Sequence, residues 1–295
     1  MDTYAIVTEK IINLLETGIV PWRRPWTSTG LPHNLVSKKP YRGVNVFLLS
    51  ASKYVSPFWL TMRQANELDG HVRKGEESTL IVNWKIENLL SRDESEDLDQ
   101  DETVDAKARN RRRFLLRFYR VFNLEQCELP QAVLDKLPRI ETHEHDPIEA
   151  AERIIAAMPN PPEIQYAGSK AFYSSVTDRI TLPPRELLIS AEEQAATTYH
   201  EIGHATGHPK RLNRKSIAEA APFGSPTYSF EEMIAEMSAA YLCAEAGISP
   251  AVIENQSAYV AGWLKKLRDD RKLVVHAAAQ AQHAADFILN RTCAD

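Results

Sequence analysis

Cysteine is scarce in this 295-residue chain: Cys127, Cys243 and Cys293 are odd in number, widely spaced and outside any CxxC pair. That excludes a disulfide framework and a thiolate zinc site, so any metal site has to be built from histidine and carboxylate. Also lacking is an apolar run approaching the roughly 18 residues that a membrane span needs. The first ten residues, MDTYAIVTEK, show no basic stretch leading into an apolar one. These absences predict a cytoplasmic protein made without export and with no membrane partner. No internal repeat is present.

What the chain does have is length and apolar content, 43% hydrophobic, enough for one large core or two smaller ones. Two domains are expected, 1–130 and 148–295, joined by a linker over 131–147 where proline and charge dominate. His143 and His145 in that linker read as solvated side chains rather than metal ligands.

The net charge is −5, but its distribution is uneven. Residues 1–85 hold eleven Lys or Arg against seven Asp or Glu, a local net of +4. Residues 91–105 then carry eight acids and one Arg with almost no apolar residue, the composition of a solvated, mobile loop. A basic run follows, from Lys107 through Arg120, with no acid until Glu125. Either the two runs neutralise each other on a solvated hairpin, or Arg117, Phe118, Tyr119 and Arg120 lie on a strand whose exposed face meets nucleic acid.

Local patterns predict an α+β chain. Apolar spacing at 4, 7, 11, 12 and 15 gives an amphipathic helix stopping at Gly18. Pro21-Trp22-Arg23-Arg24-Pro25-Trp26 can be neither helix nor central strand, because each proline lacks an amide proton and fixes its φ. Stretches 44–50, 79–86 and 114–122, rich in Val, Ile, Leu, Phe and Trp, read as strands, and 61–69 as a short helix ending at Gly70. Further on come a helix over 148–157 and one or two strands over 172–182. Ser190 with Glu193 makes a capping box for a helix ending at Gly207, before Pro209.

That last helix carries the sequence His200-Glu201-Ile202-Gly203-His204. Histidines four apart project from one helical face, spaced to put two imidazole nitrogens on one metal. Glu201, about 100° round the helix, is positioned as a general base rather than a ligand. A third protein ligand is needed. Lys210 stands where an HExxHxxGxxH pattern would put a third histidine, so that branch is excluded, and His208, after the helix has begun to end, reads as supporting the site rather than binding metal. A carboxylate on a following helix remains. Glu232 and Glu236 share one helical face, Glu232 favoured as ligand and Glu236 as the acid that orients a ligand imidazole. If Ser229 and Glu232 instead form a capping box, Glu236 becomes the ligand. Tyr228 is a candidate donor to a developing oxyanion. Two histidines and a carboxylate support Zn2+, with Mn2+ or another divalent metal as the alternative.

The chain resembles the ArdC-type antirestriction proteins of conjugative plasmids. The N-terminal likeness rests on PWRRPW (21–26), YRGVN (41–45), FWLTMRQA (58–65), VRKGEES (72–78) and FNLEQ (122–126). The C-terminal likeness rests on FYSSVTDRITLP (172–183), HEIGHATGHPKRLNR (200–214), FEEMIAEMSAAYL (230–242) and WLKKLRDDRKL (263–273). Two features depart from it: the charge of 91–105, and His276 where a small or apolar residue is expected. The resemblance implies an N-terminal α+β domain that binds single-stranded DNA, with double-stranded DNA as a further ligand. It implies a C-terminal zincin-like metallopeptidase domain of gluzincin type, and a role in protecting incoming plasmid DNA from host restriction, with a restriction-related protein as the peptidase substrate. Single strands are bound by basic grooves with aromatic platforms. Trp22, Trp26, Tyr41 and Tyr119 then read as platforms near Arg23, Arg24, Arg42, Arg63, Arg73, Lys74 and Arg117, with a core position the equal alternative for Trp22 and Trp26, while Trp59 and Phe118 are expected in the core. A second reading has the protein protect DNA sterically, with a structural or dispensable metal. A third has the N-terminal domain bind protein.

Overall fold

The structure, a computed structural model, describes residues 2–17, 19–23, 31–54, 56–88, 112–137, 147–168, 170–184, 190–218, 225–248 and 256–291. The expected acidic loop at 91–105, Arg24, Trp26, His143 and His145 lie outside them, as does the side chain of Arg23.

The chain is α+β. Helix α1 (Thr3–Glu16) is capped by Asp2, which accepts from the Tyr4 amide, and buries the stripe Val7, Ile11, Ile12 and Leu15. A single 3-10 turn, Pro21–Arg23, follows. Strands β1 (His33–Asn34), β2 (Phe58–Leu60), β4 (Thr79–Asn88) and β5 (Arg112–Asn123) form a sheet in the order β1-β2-β5-β4, and β3 (His71–Val72) pairs with β6 (Cys127–Glu128). The long antiparallel β4–β5 pair runs from Thr79↔Val121 to Asn88↔Arg112. Between these strands lie α2 (Val44–Ser50) and α3 (Met62–Glu67), the latter opened by a full capping box of Thr61 and Gln64.

Helix α2 corrects the strand expected over 44–50. A short apolar run looks alike in either state. Here Val44, Val46, Phe47, Leu48 and Leu49 are all buried, because the helix is packed against β4 and also against the C-terminal helices. A helix covered on several sides needs no polar face.

After α4 (Gln131–Leu134) and α5 (Pro147–Ala157) comes a second sheet, β7 (Glu163–Tyr166), β8 (Phe172–Ser174) and β9 (Arg179–Leu182), in the order β7-β9-β8, with β8 on an edge. Helix α6 (Ala191–Ala205) is capped by Ser190, which accepts from the Glu193 amide at 3.2 Å. Then come α7 (Lys215–Ala218), α8 (Pro226–Ala246), α9 (Gln256–Asp269) and α10 (Leu273–Ile288). Helix α8 packs along α6 on one side and α10 on the other.

Residues 1–130 and 148–295, expected as two domains, contribute to one continuous core. Phe47 of α2 stacks on Tyr241 of α8 with centroids 4.9 Å apart, and Thr8 of α1 donates to the Arg271 carbonyl at 2.6 Å. Trp22 lies at the middle of this contact, 1% exposed, edge-on to Phe47 and to Trp263 of α9 at 6.4 and 6.1 Å. This corrects its reading as a DNA platform: an indole with no accessible face cannot stack on a base. Trp22→Ala is expected to lower stability by about 3–5 kcal/mol through the cavity it leaves, seen as an earlier unfolding transition in thermal or denaturant melts.

Candidate metal centre

Helix α6 presents His200, Glu201 and His204 to α8, and the crossing of the two helices is close. A Cβ on Gly203 would meet the Cα of Ala235 at 3.1 Å and the Cβ of Ser238 at 3.4 Å, so glycine is what lets the backbones approach. At that separation Glu232 reaches both histidines. Its Oε2 is 3.6 Å from His200 Nε2 and its Oε1 is 3.5 Å from His204 Nε2, while the two Nε2 atoms are 3.1 Å apart. Ligands at about 2.1 Å from a tetrahedral ion are separated by about 3.4 Å. The two ring nitrogens and the Glu232 carboxylate, one oxygen toward each histidine, are thus spaced as such ligands are, and the three residues form the one group of possible metal ligands found among the described residues.

Glu232 can do this because α8 starts earlier than its sequence suggests. Its cap is Ser225, which accepts from the Tyr228 amide at 3.1 Å, with Pro226 at the first helical position. Ser229 is thus a buried interior residue and the Ser229–Glu232 capping box considered from sequence does not exist. Glu236, one turn on, is near enough for its charge to act on His200.

The acid that reaches the outer nitrogen of a histidine is a different one. Glu231 Oε1 lies 3.4 Å from His204 Nδ1, and Glu231 is itself gripped by Arg214, whose Nε donates to Oε2 at 3.0 Å and whose Nη2 donates to Oε1. Ser216 Oγ also donates to Oε2. The guanidinium has further partners at the end of α6, donating to the Gly203 carbonyl at 2.8 Å and to Thr206 Oγ1 at 2.6 Å. Arg214 and Glu231 have side chains only 7% and 4% exposed, so this is a buried, fully engaged ion pair. With Glu231 ionised, His204 carries its proton on Nδ1 and turns the Nε2 lone pair toward Glu232 and His200. Burial would raise the Glu231 carboxyl, but His204 and Arg214 outweigh it and hold it near 2. Sequence reading missed Glu231, Arg214 and Ser216. The available signal was a pair of adjacent acids, 231 and 232, which a helix places about 100° apart so that both cannot face the same way.

Glu201 has the opposite electrostatics. Burial raises its pKa, opposed by the charges of His200 and His204 and by a hydrogen bond from the Tyr173 amide on β8. Glu232 is drawn down to about 2, since the histidines and the Tyr228 hydroxyl outweigh its burial. The Tyr228 phenol is raised by burial and by Glu232. All these groups line one cleft of about 380 Å3, with Phe172, Tyr173 and Ser175 of the β8 side forming its other wall. His208 is turned away from it: its Nδ1 accepts from the Lys210 amide at 3.2 Å and faces Asp178 at 3.9 Å. It thus belongs to a separate cluster in which the nearly buried Arg211 guanidinium binds Asp178.

Comparison with known proteins places this geometry. Residues 1–122 match the family described as the N-terminal domain of anti-restriction factor ArdC, and residues 149–280 match the zincin-like metallopeptidase family. The metal-free crystal structure of antirestriction ArdC protein from R388 plasmid superimposes with a TM-score of 0.73 at 33% identity, covering 99% of this chain and all of that one. The chain belongs to the ArdC antirestriction family. The Mn(II)-bound structure of the same ArdC protein is equally similar, with a TM-score of 0.71, 32% identity and 98% of each chain covered. Uncharacterized protein y4eC of Sinorhizobium fredii (strain NBRC 101917 / NGR234) is 35% identical over 97% of this chain and 91% of its own length. Two DNA primases TraC of Escherichia coli are 35% and 34% identical over 96% and 97% of this chain, which spans only 26% and 20% of their lengths. A divalent metal accords with both the zincin-like domain and the donor set.

Within the part matching the ArdC N-terminal domain, the structure divides the expected DNA-facing residues. Arg117 and Tyr119 are exposed on β5, with Arg120, and so is Phe118, 44% exposed where a core position was expected. Trp59 is buried, as expected. Arg63 pairs with Glu67 at 2.7 Å, Arg73 with Glu76 at 3.3 Å, and Arg42 with Asp286 of α10, while Lys74 is exposed. Tyr41 is half-buried and accepts from Asn34.

The ion pair beneath His204 makes a clear prediction. Arg214→Met leaves Glu231 buried without its counter-charge and is expected to cost about 3–5 kcal/mol. The double change Arg214→Met with Glu231→Leu is expected to recover most of that stability, yet weaken metal binding about 10–100-fold, because His204 then lacks its orienting acid. Denaturant melts and metal titration read the two effects separately. With Glu231 held near 2, its contribution to wild-type stability is present above the ordinary glutamate value of about 4.3 and is lost as pH falls from there toward 2.

Proposed function

We propose that this chain is an antirestriction protein that binds single-stranded DNA and carries a metal-dependent peptidase site, protecting incoming DNA from a recipient's restriction systems. The observation that carries the peptidase reading is the set His200, His204 and Glu232, with Glu201 beside it in the same cleft. A divalent ion held there would act as a Lewis acid, polarising a carbonyl and lowering the pKa of water.

The chain's own residues supply the rest. Glu201, fixed by the Tyr173 amide and raised in pKa by burial, takes the proton of the attacking water and hands it to the departing amine. The Tyr228 hydroxyl, which donates to Glu232, becomes a donor to the oxyanion that develops on the carbonyl by turning its one proton from Glu232. Edge strand β8 borders the cleft, so an extended peptide can align along it by main-chain hydrogen bonds. A protein met on or near DNA is the substrate class, and Zn2+ and Mn2+ both suit the donor set.

The DNA reading rests on the exposed end of the β4–β5 pair, with Arg117 and Tyr119 on one face and Phe118, Arg120 and Trp84 on the other, each face pairing a cation with an aromatic ring as sequence-tolerant binding of single strands needs. That surface is separate from the metal cleft, which favours a second reading, steric protection independent of proteolysis.

Three measurements divide these. Metal analysis by mass spectrometry should find about one divalent ion per chain, lost in His204→Ala and kept in Glu201→Ala, which removes the base and no ligand. A labelled single-stranded oligonucleotide should bind with an affinity that falls steeply with salt; salt-independent binding, or none, removes the DNA reading. In a transfer assay into a restricting host, Glu201→Ala is expected to lose protection, and equal protection would establish the steric alternative.

A further inference from the structure

A second concavity, of about 580 Å3, runs along the outer edge of β4, the last strand of the first sheet. The β4–β5 pair lines it with Trp84 and Tyr119, 40% and 43% exposed, which project from opposite faces of the pair and both reach the groove at the β4 edge, and one end is formed by Tyr41, Lys39 and Arg42. The opposite wall is α10, through Val275, Ala279, Gln282 and His283. Helix α10 is tied to the first wall's loop at two points: Gln282 Oε1 accepts from the Gly43 amide at 3.2 Å, and Asp286 pairs with Arg42. His276, one turn before Ala279, stacks on Tyr4 at 5.5 Å, and Tyr4 meets the edge of Trp84 at 6.1 Å. The histidine that departs from the family pattern is thus part of the aromatic cluster beside this groove.

Two observations narrow the occupant. Among the described residues, no acidic side chain lines the groove, whereas the peptidase cleft is lined by three glutamates. And the exposed edge of β4 is not open to an added strand at its centre: the Asn45 side chain accepts from the Val82 amide and donates to the Val82 carbonyl, both at 2.7 Å. A peptide that binds by extending the sheet is therefore blocked. A ligand that is anionic along its backbone and binds by its flat faces meets cations at one end and aromatic rings on the wall.

We propose that this groove receives a base of single-stranded DNA, and that α10, a helix of the metallopeptidase half, completes the DNA site. The proposal rests on the DNA reading above and deepens it: the N-terminal half supplies the stacking faces and α10 the wall that closes over the base.

The test is anisotropy of a fluorescein-labelled oligothymidylate with the full-length protein at fixed salt. Ala279→Glu and Ala279→Trp both fill the groove, one with charge and one without. Each is expected to weaken binding by about tenfold or more, the loss of one stacked base, with unchanged thermal melting. Gln280→Glu, the next residue on the same helix and absent from the groove lining, adds the same charge and is expected to bind as wild type. Wild-type affinity in both Ala279 variants overturns the inference while leaving the DNA reading intact. So does an equal loss in Ala279→Glu and Gln280→Glu with none in Ala279→Trp, which would mark a general charge effect. If the wild type itself fails to bind, the DNA reading falls first and this inference with it.

Discussion

The close crossing of α6 and α8 decides where every group of the metal centre stands. Gly203 against Ala235 brings the helices near enough for a glutamate of α8 to reach two histidines of α6. The same approach buries Glu231, one position before Glu232, where an ionised carboxylate is tolerable only with a partner. Arg214 supplies it and at the same time binds the Gly203 carbonyl and Thr206 at the end of α6. One guanidinium therefore does three things: it neutralises the buried acid, joins the Thr206 hydroxyl in donating to the Gly203 carbonyl at the end of α6, and keeps Glu231 charged so that His204 is held in one tautomer. Two adjacent acids of one helix acquire separate tasks from position alone, Glu232 reaching both Nε2 atoms and Glu231 held by Arg214 behind His204 Nδ1.

Much of this site is legible in the amino-acid sequence. The four-residue spacing of His200 and His204, the Ser190 cap and the stop at Gly207 together define a helix with two imidazoles on one face, and Lys210 removes the third-histidine alternative. Glu232 is legible only as one of two choices, because resolving it requires knowing where α8 begins, and Ser225 and Ser229 are both plausible caps. The Arg214–Glu231 pair is not legible. Its members are 17 residues apart, on different helices or loops, and an arginine in a basic stretch such as HPKRLNR reads as solvated until burial is known.

The same limit explains the misread elements. A seven-residue stretch such as 44–50, apolar at all but Asn45 and Ser50, is too short to reveal its period, so its state is set by what surrounds it, here β4 and the C-terminal helices. Trp22 sits among prolines and arginines, a setting that suggests a surface loop. Its burial follows from Trp263, 241 positions on, which local sequence cannot show. Phe118 erred the other way, for β5 alternates faces while both of them are partly open at that point.

Helix α10 carries the consequence for function. Ala277, Ala278, Ala281, Ala284 and Ala285 are all buried, and small residues let this helix lie close on α8. Its other side faces the β4 groove through Ala279 and His283. Helix α8 in turn carries the metal-facing Glu232 on its far side. The proposed DNA groove and the metal cleft are thereby joined through two helices packed without slack, in an interior that does not deform easily. If the groove holds a strand as proposed, this two-helix connection would set the cleft at a fixed distance and angle from it, where a flexible tether would not.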